Sequence, residues 1–551
     1  MTLLRETLRA AVQDALERAR RAAELVPVDH RPLPEAGLER PARPDHGDYA
    51  TNLALRLAPL VRRPPLEVAE TLRRHLQLPP EMADASVAPP GFVNLRLHDS
   101  WVADQLGAIL AEGTGYGRVG TLQGRSINVE FVSANPTGPL TLGNARGAFV
   151  GDLLSRVLEG AGATVTREYY FNDRGPQVRH LGRSVLAARS GQPTPEDGYH
   201  GAYVADLAAE LPAELAGEED SSAGDEGAAR RVGEWASERI RQGIEDSLAR
   251  LGVRFDVWTT EGQLHEEGWV GGALDRLRAD GHLYQAEGAT WFRSSAFGDD
   301  KDRVVIRSNG EPTYFAADIG YLAHKFSRGF HELIYLWGAD HHGTVARNRA
   351  AALALAHDPA SVEWLLIAWV RFVRDGREIS MSKRSGEFVT LDELLAEIGP
   401  DAARWFFGSR APSTGIDFDI ELAKRQSSEN PVYYVQYAHA RCASILRNAG
   451  SLRPDARGAA GLLHHPAEQA LMRELLRLPE VVHDSAVRRE THDVPRFCLE
   501  VATLFSQFYR DCRVLTDDAA LSAARLGLVE ATRLVLGNAL ELLGIAAPSS
   551  M

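Results

Sequence analysis

The sequence predicts an α/β nucleotide-binding core set between a small N-terminal α/β module and an all-helical C-terminal region. Three observations predict it. The run Ile127-Asn-Val-Glu-Phe-Val132 is apolar-rich with strand character; it leads through a Gly/Pro loop into Ala148–Glu159, where apolar residues recur at helical spacing. Glu332-Leu-Ile-Tyr-Leu-Trp337 is a second strand, ending at Gly338-Ala-Asp340. From about Asp419 the pattern is helical with little strand signal: Tyr433, Val435, Tyr437 and Ala438, then the Leu-rich stretches Ala470–Leu478 and Ala523–Leu543, suggest a bundle.

In order along the chain, residues 1–115 form the first module. A long helix runs to about Leu25, His46-Gly-Asp-Tyr-Ala-Thr-Asn-Leu-Ala-Leu-Arg56 opens a second helix, and Pro89–Leu97 contains a strand. Residues 116–418 hold the core, its first half from Glu130 to about Gly191 and its second half containing Val304-Val-Ile-Arg307 and Glu332–Trp337. An insertion at about 192–300 separates the halves; its Gln192–Ala229 stretch, rich in Gly, Pro, Ser, Ala and acid, reads as a surface linker. Residues 419–551 are the helical domain, and no internal repeat is present. In open sheets of this kind ligands sit beyond the C-terminal strand ends at the switch point, where both loops fall.

Composition agrees. The 551 residues allow three or four domains at roughly 150 residues each, and 44% hydrophobic content supports a sizeable core. No apolar run is long enough for a bilayer, and the Met1–Arg9 helix carries both signs of charge rather than a signal peptide's apolar core. Cys442, Cys498 and Cys512 form no Cys-x-x-Cys pair, which points to a reducing cytoplasm, no disulfide framework and no structural zinc. The net charge of −14 argues against a nucleic-acid partner on composition alone, although acid clusters in segments such as Glu214–Glu226.

Two loops carry the chemistry. The chain has four lysines against 57 arginines, and one of the four, Lys383, stands in Ile379-Ser-Met-Ser-Lys-Arg-Ser-Gly386. A compact ammonium on a Gly-flanked loop suits a polyphosphate whose charge moves during reaction. The second loop, Ser133–Gly147, opens a helix whose free N–H groups and partial positive charge favour phosphate; Gly143 and Gly147 clear space for a nucleotide. Either loop alone has a bland explanation, a solvated lysine or an ordinary strand–helix turn.

Together they resemble the two signatures, HIGH and KMSKS, of class I aminoacyl-tRNA synthetases. Glu130-Phe-Val-Ser-Ala-Asn-Pro-Thr-Gly-Pro-Leu140, Arg167-Glu-Tyr-Tyr-Phe-Asn-Asp173, Tyr314-Phe-Ala-Ala-Asp318, Trp337-Gly-Ala-Asp-His-His-Gly343 and Asn430-Pro-Val-Tyr-Tyr-Val-Gln-Tyr-Ala-His-Ala-Arg441 narrow the likeness to the arginyl-tRNA synthetase family, over essentially the whole chain. The resemblance implies an α/β Rossmann-like class I synthetase catalytic core, an N-terminal α/β domain that contacts the tRNA elbow, and a C-terminal all-α anticodon-binding bundle. It implies ATP-dependent attachment of L-arginine to tRNA(Arg) through an arginyl-adenylate, activation that needs bound tRNA, Mg²⁺ carried with ATP, and a monomeric cytoplasmic enzyme with no DNA or membrane partner.

It also implies roles. Lys383 and Ser382 act on the phosphates with Thr141 and Asn144 of the first signature; Gly143, Gly338, Asp340, Met381 and Arg384 bind ATP, Asp340 at the ribose. Thr141 and Asn144 replace the usual histidines and cannot carry charge, so another cation is expected to compensate, with Arg146 a candidate. Glu130, Ser133, Asn135, Tyr314, Asp318 and His341 form the arginine site. A guanidinium is best read by a planar carboxylate, and Tyr314 lies one helical turn before Asp318. Adjacent His341 and His342 lack a third ligand at usable spacing, which argues against a metal centre. Tyr433, Tyr437, His439 and Arg441 interleave aromatics with cations and could stack on tRNA bases. The alternatives are a catalytically weakened synthetase-like protein that binds tRNA, supported only by Thr141 and Asn144, or a class I synthetase for another amino acid.

Overall fold

The computed structural model describes residues 3–28, 31–216, 226–374, 376–378 and 390–551. Lys383, Ser382, Met381 and Arg384 fall outside them. At the centre is a five-stranded parallel sheet in the order Val362–Ile367, Glu332–Gly338, Ser126–Glu130, Thr164–Phe171, Val257–Thr260. Its two middle strands, Glu332–Gly338 and Ser126–Glu130, are largely buried on both faces because helices cover both sides, and the buried positions include the polar Asn128 and Glu130. From Ser126–Glu130 the chain crosses through the helix Leu142–Gly160 to Thr164–Phe171 on one side; from Glu332–Gly338 it crosses through His342–Ala354 to Val362–Ile367 on the other. The switch point therefore lies between the C-terminal ends of Ser126–Glu130 and Glu332–Gly338, which pair with Glu130 opposite Tyr335.

Helix Leu142–Gly160 is buried on nearly every face, wedged between the sheet and the C-terminal helices. Gly151 permits its approach: a Cβ there would sit 2.2 Å from the Phe131 ring. Midway along it Asp152, 2% exposed, accepts from Arg404 Nη1 (2.8 Å) and Arg156 Nε (2.7 Å), while Arg404 also donates to the carbonyls of Leu251 and Leu543. This buried junction joins the core, the insertion and the last helix.

The structure departs from the sequence expectations in three places. Arg303–Ile306 belongs not to the parallel core but to a separate antiparallel sheet with Leu283–Ala286 and Ala289–Phe292. A short Val/Ile run is compatible with either sheet, and the Ala286–Ala289 hairpin supplies the nearer partner. The segment expected to open a helix at His46 instead makes the strand Tyr49–Thr51 against Val93–Leu95, and its helix begins at Leu53. Gly47 explains this: φ is 87°, and a Cβ would lie 2.6 Å from the Leu95 carbonyl oxygen, so the backbone passes too close for any other residue. Within the expected linker, Ala202–Glu210 is helical and packs on Pro176–Arg189.

The N-terminal module docks on the helical region by charged contacts. Arg5 Nη1 donates to Asp484 (2.7 Å), Arg40 Nε to Glu480 (3.0 Å), and Arg473 Nε to Asp48 (2.8 Å). The C-terminal helices Pro431–Asn448, Asp493–Asp511 and Ala519–Leu543 pack on one another through Leu, Val, Ala and Phe.

Candidate active site

The cavity at the switch point, about 410 Å³, brings together Glu130, Ser133, Asn135, Tyr314, Asp318 and His341, with Gly338 at its edge. Four elements supply them. Beyond Ser126–Glu130 the chain turns through left-handed backbone at Val132 (φ 67°) and Ser133 (φ 39°), a strained path of the kind found at functional sites. The turn aims the Ser133 hydroxyl back at the strand ends: it donates to Glu130 Oε1 (3.1 Å) and accepts from the Tyr170 N–H (3.1 Å). Asn135 is exposed at the mouth.

Helix Tyr314–Ser327, capped by Thr313 Oγ1 accepting from the Ala316 N–H (3.3 Å), forms one wall. Tyr314, Asp318, Tyr321 and Lys325 follow one another at spacings of four, three and four, so they share the face turned to the site. Tyr314 is 48% exposed at the rim and Asp318 lies deeper, only partly accessible. Burial pushes the Asp318 carboxyl up to about 7; Arg347 pulls the other way, and the nearby carboxylates Glu130 and Glu261 add to the rise. Among the described residues Asp318 forms no salt bridge.

Below it lies a buried charge network. Lys325 Nζ, with no solvent exposure, donates to Glu130 Oε2 (2.6 Å) and stands over the rings of Tyr335 (4.0 Å) and Tyr321 (4.5 Å). Glu168 accepts from Asn128 Nδ2 (2.6 Å), Thr259 Oγ1 (2.6 Å), Tyr321 Oη (2.9 Å) and Arg328. Burial would raise the Glu168 carboxyl, but Lys325, Arg328 and these hydrogen bonds bring it below its ordinary value. Sequence reasoning missed Lys325, Glu168, Arg328, Tyr170 and Arg347. The rarity of lysine in this chain and the position of Lys325 seven residues after Asp318 were signals that could have found the first.

The first signature stands beside this cavity at the N-terminus of Leu142–Gly160. The Thr141 N–H and hydroxyl both donate to Asn144 Oδ1 (3.2 and 3.0 Å), a reciprocal cap that leaves the Asn144 amide protons available. Among the described residues, a Cβ on Gly143 would meet only Thr141 Oγ1, at 3.6 Å. Arg146 does not face it. The guanidinium is 1% exposed and donates to the carbonyls of Ala368 (2.8 Å) and Ala411 (2.9 Å), with burial lowering it to about 10. The expected compensating cation is therefore a structural clamp.

Thr141 also forms a bridge to Thr390, and the Leu391 N–H donates to the Leu140 carbonyl (3.1 Å). The chain carrying the second signature thus rejoins the described structure directly against the first. Across the cavity, Asp340 and His341 follow the strand Glu332–Gly338; both are exposed, with His341 Nε2 3.7 Å from Asp340. A Cβ at Gly338 would lie 2.3 Å from Asp340 Oδ1, the tip of an exposed side chain that can swing aside.

On the helical domain, Arg441 lies between the exposed rings of Tyr437 (5.1 Å) and Tyr509 (4.9 Å). Tyr433 is half-buried on the same helix. His439 points inward, 4% exposed, its Nδ1 2.8 Å from the Pro548 carbonyl oxygen, so it offers no surface to a base.

A parallel sheet with the first signature loop at its switch point, set between an α/β module and a helix bundle, is the architecture of a class I aminoacyl-tRNA synthetase. Residues 222–405 match the class I (R) tRNA synthetase catalytic domain, 4–97 the arginyl-tRNA synthetase N-terminal domain, and 435–551 the DALR anticodon-binding domain. An arginine–tRNA ligase of Heliobacterium modesticaldum is 45% identical over all of this chain and 99% of its own length; one of Moorella thermoacetica is 46% identical over the full length of both. The Thermus thermophilus arginyl-tRNA synthetase structure, 24% identical, shares the fold over the whole of both chains with a TM-score of 0.79. The chain belongs to the arginyl-tRNA synthetase family. No helix among the described residues is long and apolar enough to cross a membrane.

Proposed function

We propose that this chain is an arginine–tRNA ligase, joining L-arginine to its tRNA at the expense of ATP, and that the switch-point cavity is its arginine site. The observation that carries the reading is Asp318: a carboxylate with no salt bridge among the described residues, held at the wall of a cavity whose other lining acid, Glu130, is paired with Lys325. A guanidinium entering the cavity supplies two parallel N–H donors to it, with Tyr314 covering the rim. Asn135 and His341, both lining the cavity, are assigned to the amino-acid backbone and the carboxylate end of the substrate.

The chemistry needs no protein nucleophile. The arginine carboxylate attacks the α-phosphorus of ATP and pyrophosphate leaves; the ribose hydroxyl of the tRNA's terminal adenosine then attacks the carbonyl and AMP leaves. The chain's part is to hold two anions in line and stabilise charge on phosphate. The N-terminal end of Leu142–Gly160, with Gly143 and the Asn144 amide, is assigned to the phosphates, and Asp340 to the ribose hydroxyls. Lys383, Ser382, Met381 and Arg384 are assigned to ATP from the loop that ends at Thr390. Tyr437 and Arg441 are assigned to tRNA bases, with Tyr509 added by its position. Mg²⁺ is assigned to the ATP phosphates it arrives with.

Radiolabelled arginine trapped on tRNA by filter assay tests the reading. Charging that requires ATP and tRNA(Arg) is expected. Bound tRNA without charging would favour the weakened tRNA-binding alternative, and charging by a different amino acid would overturn the assignment of Asp318.

A further inference from the structure

The first signature loop, Ser133–Leu140, has no helix or strand of its own, so its path is set by what grips it from outside. Two tyrosine hydroxyls hold its backbone. Tyr169, on the core strand Thr164–Phe171, donates to the Ala134 carbonyl and accepts from the Ala134 N–H, both at 3.0 Å. Tyr203, on the insertion helix Ala202–Glu210, donates to the Thr137 carbonyl at 2.8 Å. A second insertion residue, Tyr199, meets the Thr137 side chain. Asn135, assigned to the amino-acid backbone, stands between the two held residues Ala134 and Thr137.

The Tyr203 hydroxyl is not what attaches its helix. Val204, Leu207 and Ala208 are buried, the Tyr199 N–H donates to Ser184 Oγ (2.8 Å), and Arg189 Nη1 donates to the Ala208 carbonyl (3.0 Å); these fasten the segment to Pro176–Arg189. The loop, in turn, is shaped to receive the hydroxyl. A Cβ on Gly138 would lie 3.3 Å from Tyr203 Oη and 3.4 Å from its Cζ, while the Gly138 backbone is outside the left-handed region. A side chain there is crowded by the tyrosine and not by the backbone.

In-line attack on phosphorus needs its groups held to a fraction of an ångström, which an irregular loop does not supply unaided. We propose that Tyr203 is a positioning residue for arginyl-adenylate formation: from the insertion it fixes the middle of the first signature loop, and with it Asn135 and the approach to the phosphates. This rests on the reading of that loop as part of the arginine and ATP site.

The test is single-turnover adenylate formation by the full chain at saturating ATP and arginine with tRNA present, expressed per active site, alongside thermal unfolding. Tyr203→Phe keeps the ring and removes the hydrogen bond. It is expected to slow the step about tenfold, with the KM for tRNA and the unfolding temperature unchanged. A Tyr203 that only anchored its helix would lower the unfolding temperature and leave the saturated rate per site at the wild-type value. Gly138→Ala, whose methyl pushes the hydroxyl off the carbonyl, should slow the wild-type chain by a similar factor. In the Tyr203→Phe background, where the hydroxyl is gone, it should slow the step by less than about twofold.

A Tyr203→Phe rate within about twofold of wild type, or additive slowing in the double variant, would overturn the proposal. Should Tyr203→Phe not fold, a wild-type rate in Gly138→Ala would overturn it equally. A wild-type chain that forms no adenylate from arginine and ATP with tRNA bound would instead remove the reading of the loop as part of the site, and the proposal with it.

Discussion

Replacing Asp318 by Asn removes one charge from the cavity and keeps the shape. Two charge-assisted hydrogen bonds to a guanidinium contribute about 2 kcal/mol each. Their loss predicts roughly thousandfold weaker arginine binding at pH 8.5, where the wild-type carboxyl is ionised. The pH dependence follows from the same group. With the carboxyl raised to about 7, a proton competes with arginine below that pH, so wild-type affinity should fall about tenfold per pH unit as pH drops below 7. The variant should show no such slope, and the gap between the two should narrow to roughly a hundredfold at pH 6.

Stability moves the opposite way. The folded carboxyl ionises near 7 rather than its ordinary 3.8, so the fold carries a penalty at pH above 7 that is relieved as pH falls through that window. The upper bound is roughly 4 kcal/mol, which water in the cavity screens to a fraction. Asp318→Asn should therefore unfold at a higher temperature than wild type at pH 8. Calorimetric titration with tRNA present, repeated from pH 6 to 8.5, reads the binding. Less than a tenfold loss at pH 8.5, or a wild-type pH slope persisting in the variant, would refute the placement of the guanidinium on Asp318.

Lys383→Ala should slow arginyl-adenylate formation in single-turnover measurements while leaving arginine affinity nearly unchanged; an unaltered rate would remove its phosphate role. Tyr437→Ala should raise KM for tRNA severalfold with little change in the ATP and arginine constants, because its exposed ring and Arg441 belong to the helical domain and do not line the cavity. Asp152→Ala strands the buried Arg404 guanidinium, and a loss of about 3 kcal/mol is expected from the urea midpoint. A shift below 0.5 kcal/mol would mean that the Leu251 and Leu543 carbonyls satisfy Arg404 by themselves.

Much of the fold was legible because it depends on local pattern. The strand Ser126–Glu130, the helix after it and the three helical C-terminal stretches follow from the period of apolar residues. Misreadings arose where a short segment could join more than one partner. Val304–Ile306 has the composition of a core strand, but partner choice in a sheet is a contact between distant segments. The Gly47 turn is similar: its glycine reads as an ordinary loop residue until the Leu95 carbonyl is seen behind it.

Within the site, the residue types that chemistry demands stood out in the sequence: a Tyr and an Asp one turn apart, a Gly-x-Asp after a strand, and a rare lysine in a Gly-flanked loop. The chain alone thus determined the class of reaction and which side chains were available for it, since periodicity and reactive groups are properties of sequence. Tertiary structure decided how those charges are divided. Arg146, two residues from Asn144, turns away to clamp carbonyls, while Lys325, 195 residues along the chain from Glu130, pairs with it. That division depends on burial and on distances between segments far apart in the chain. Both are set only when the strands pair and the helix Tyr314–Ser327 packs across their ends.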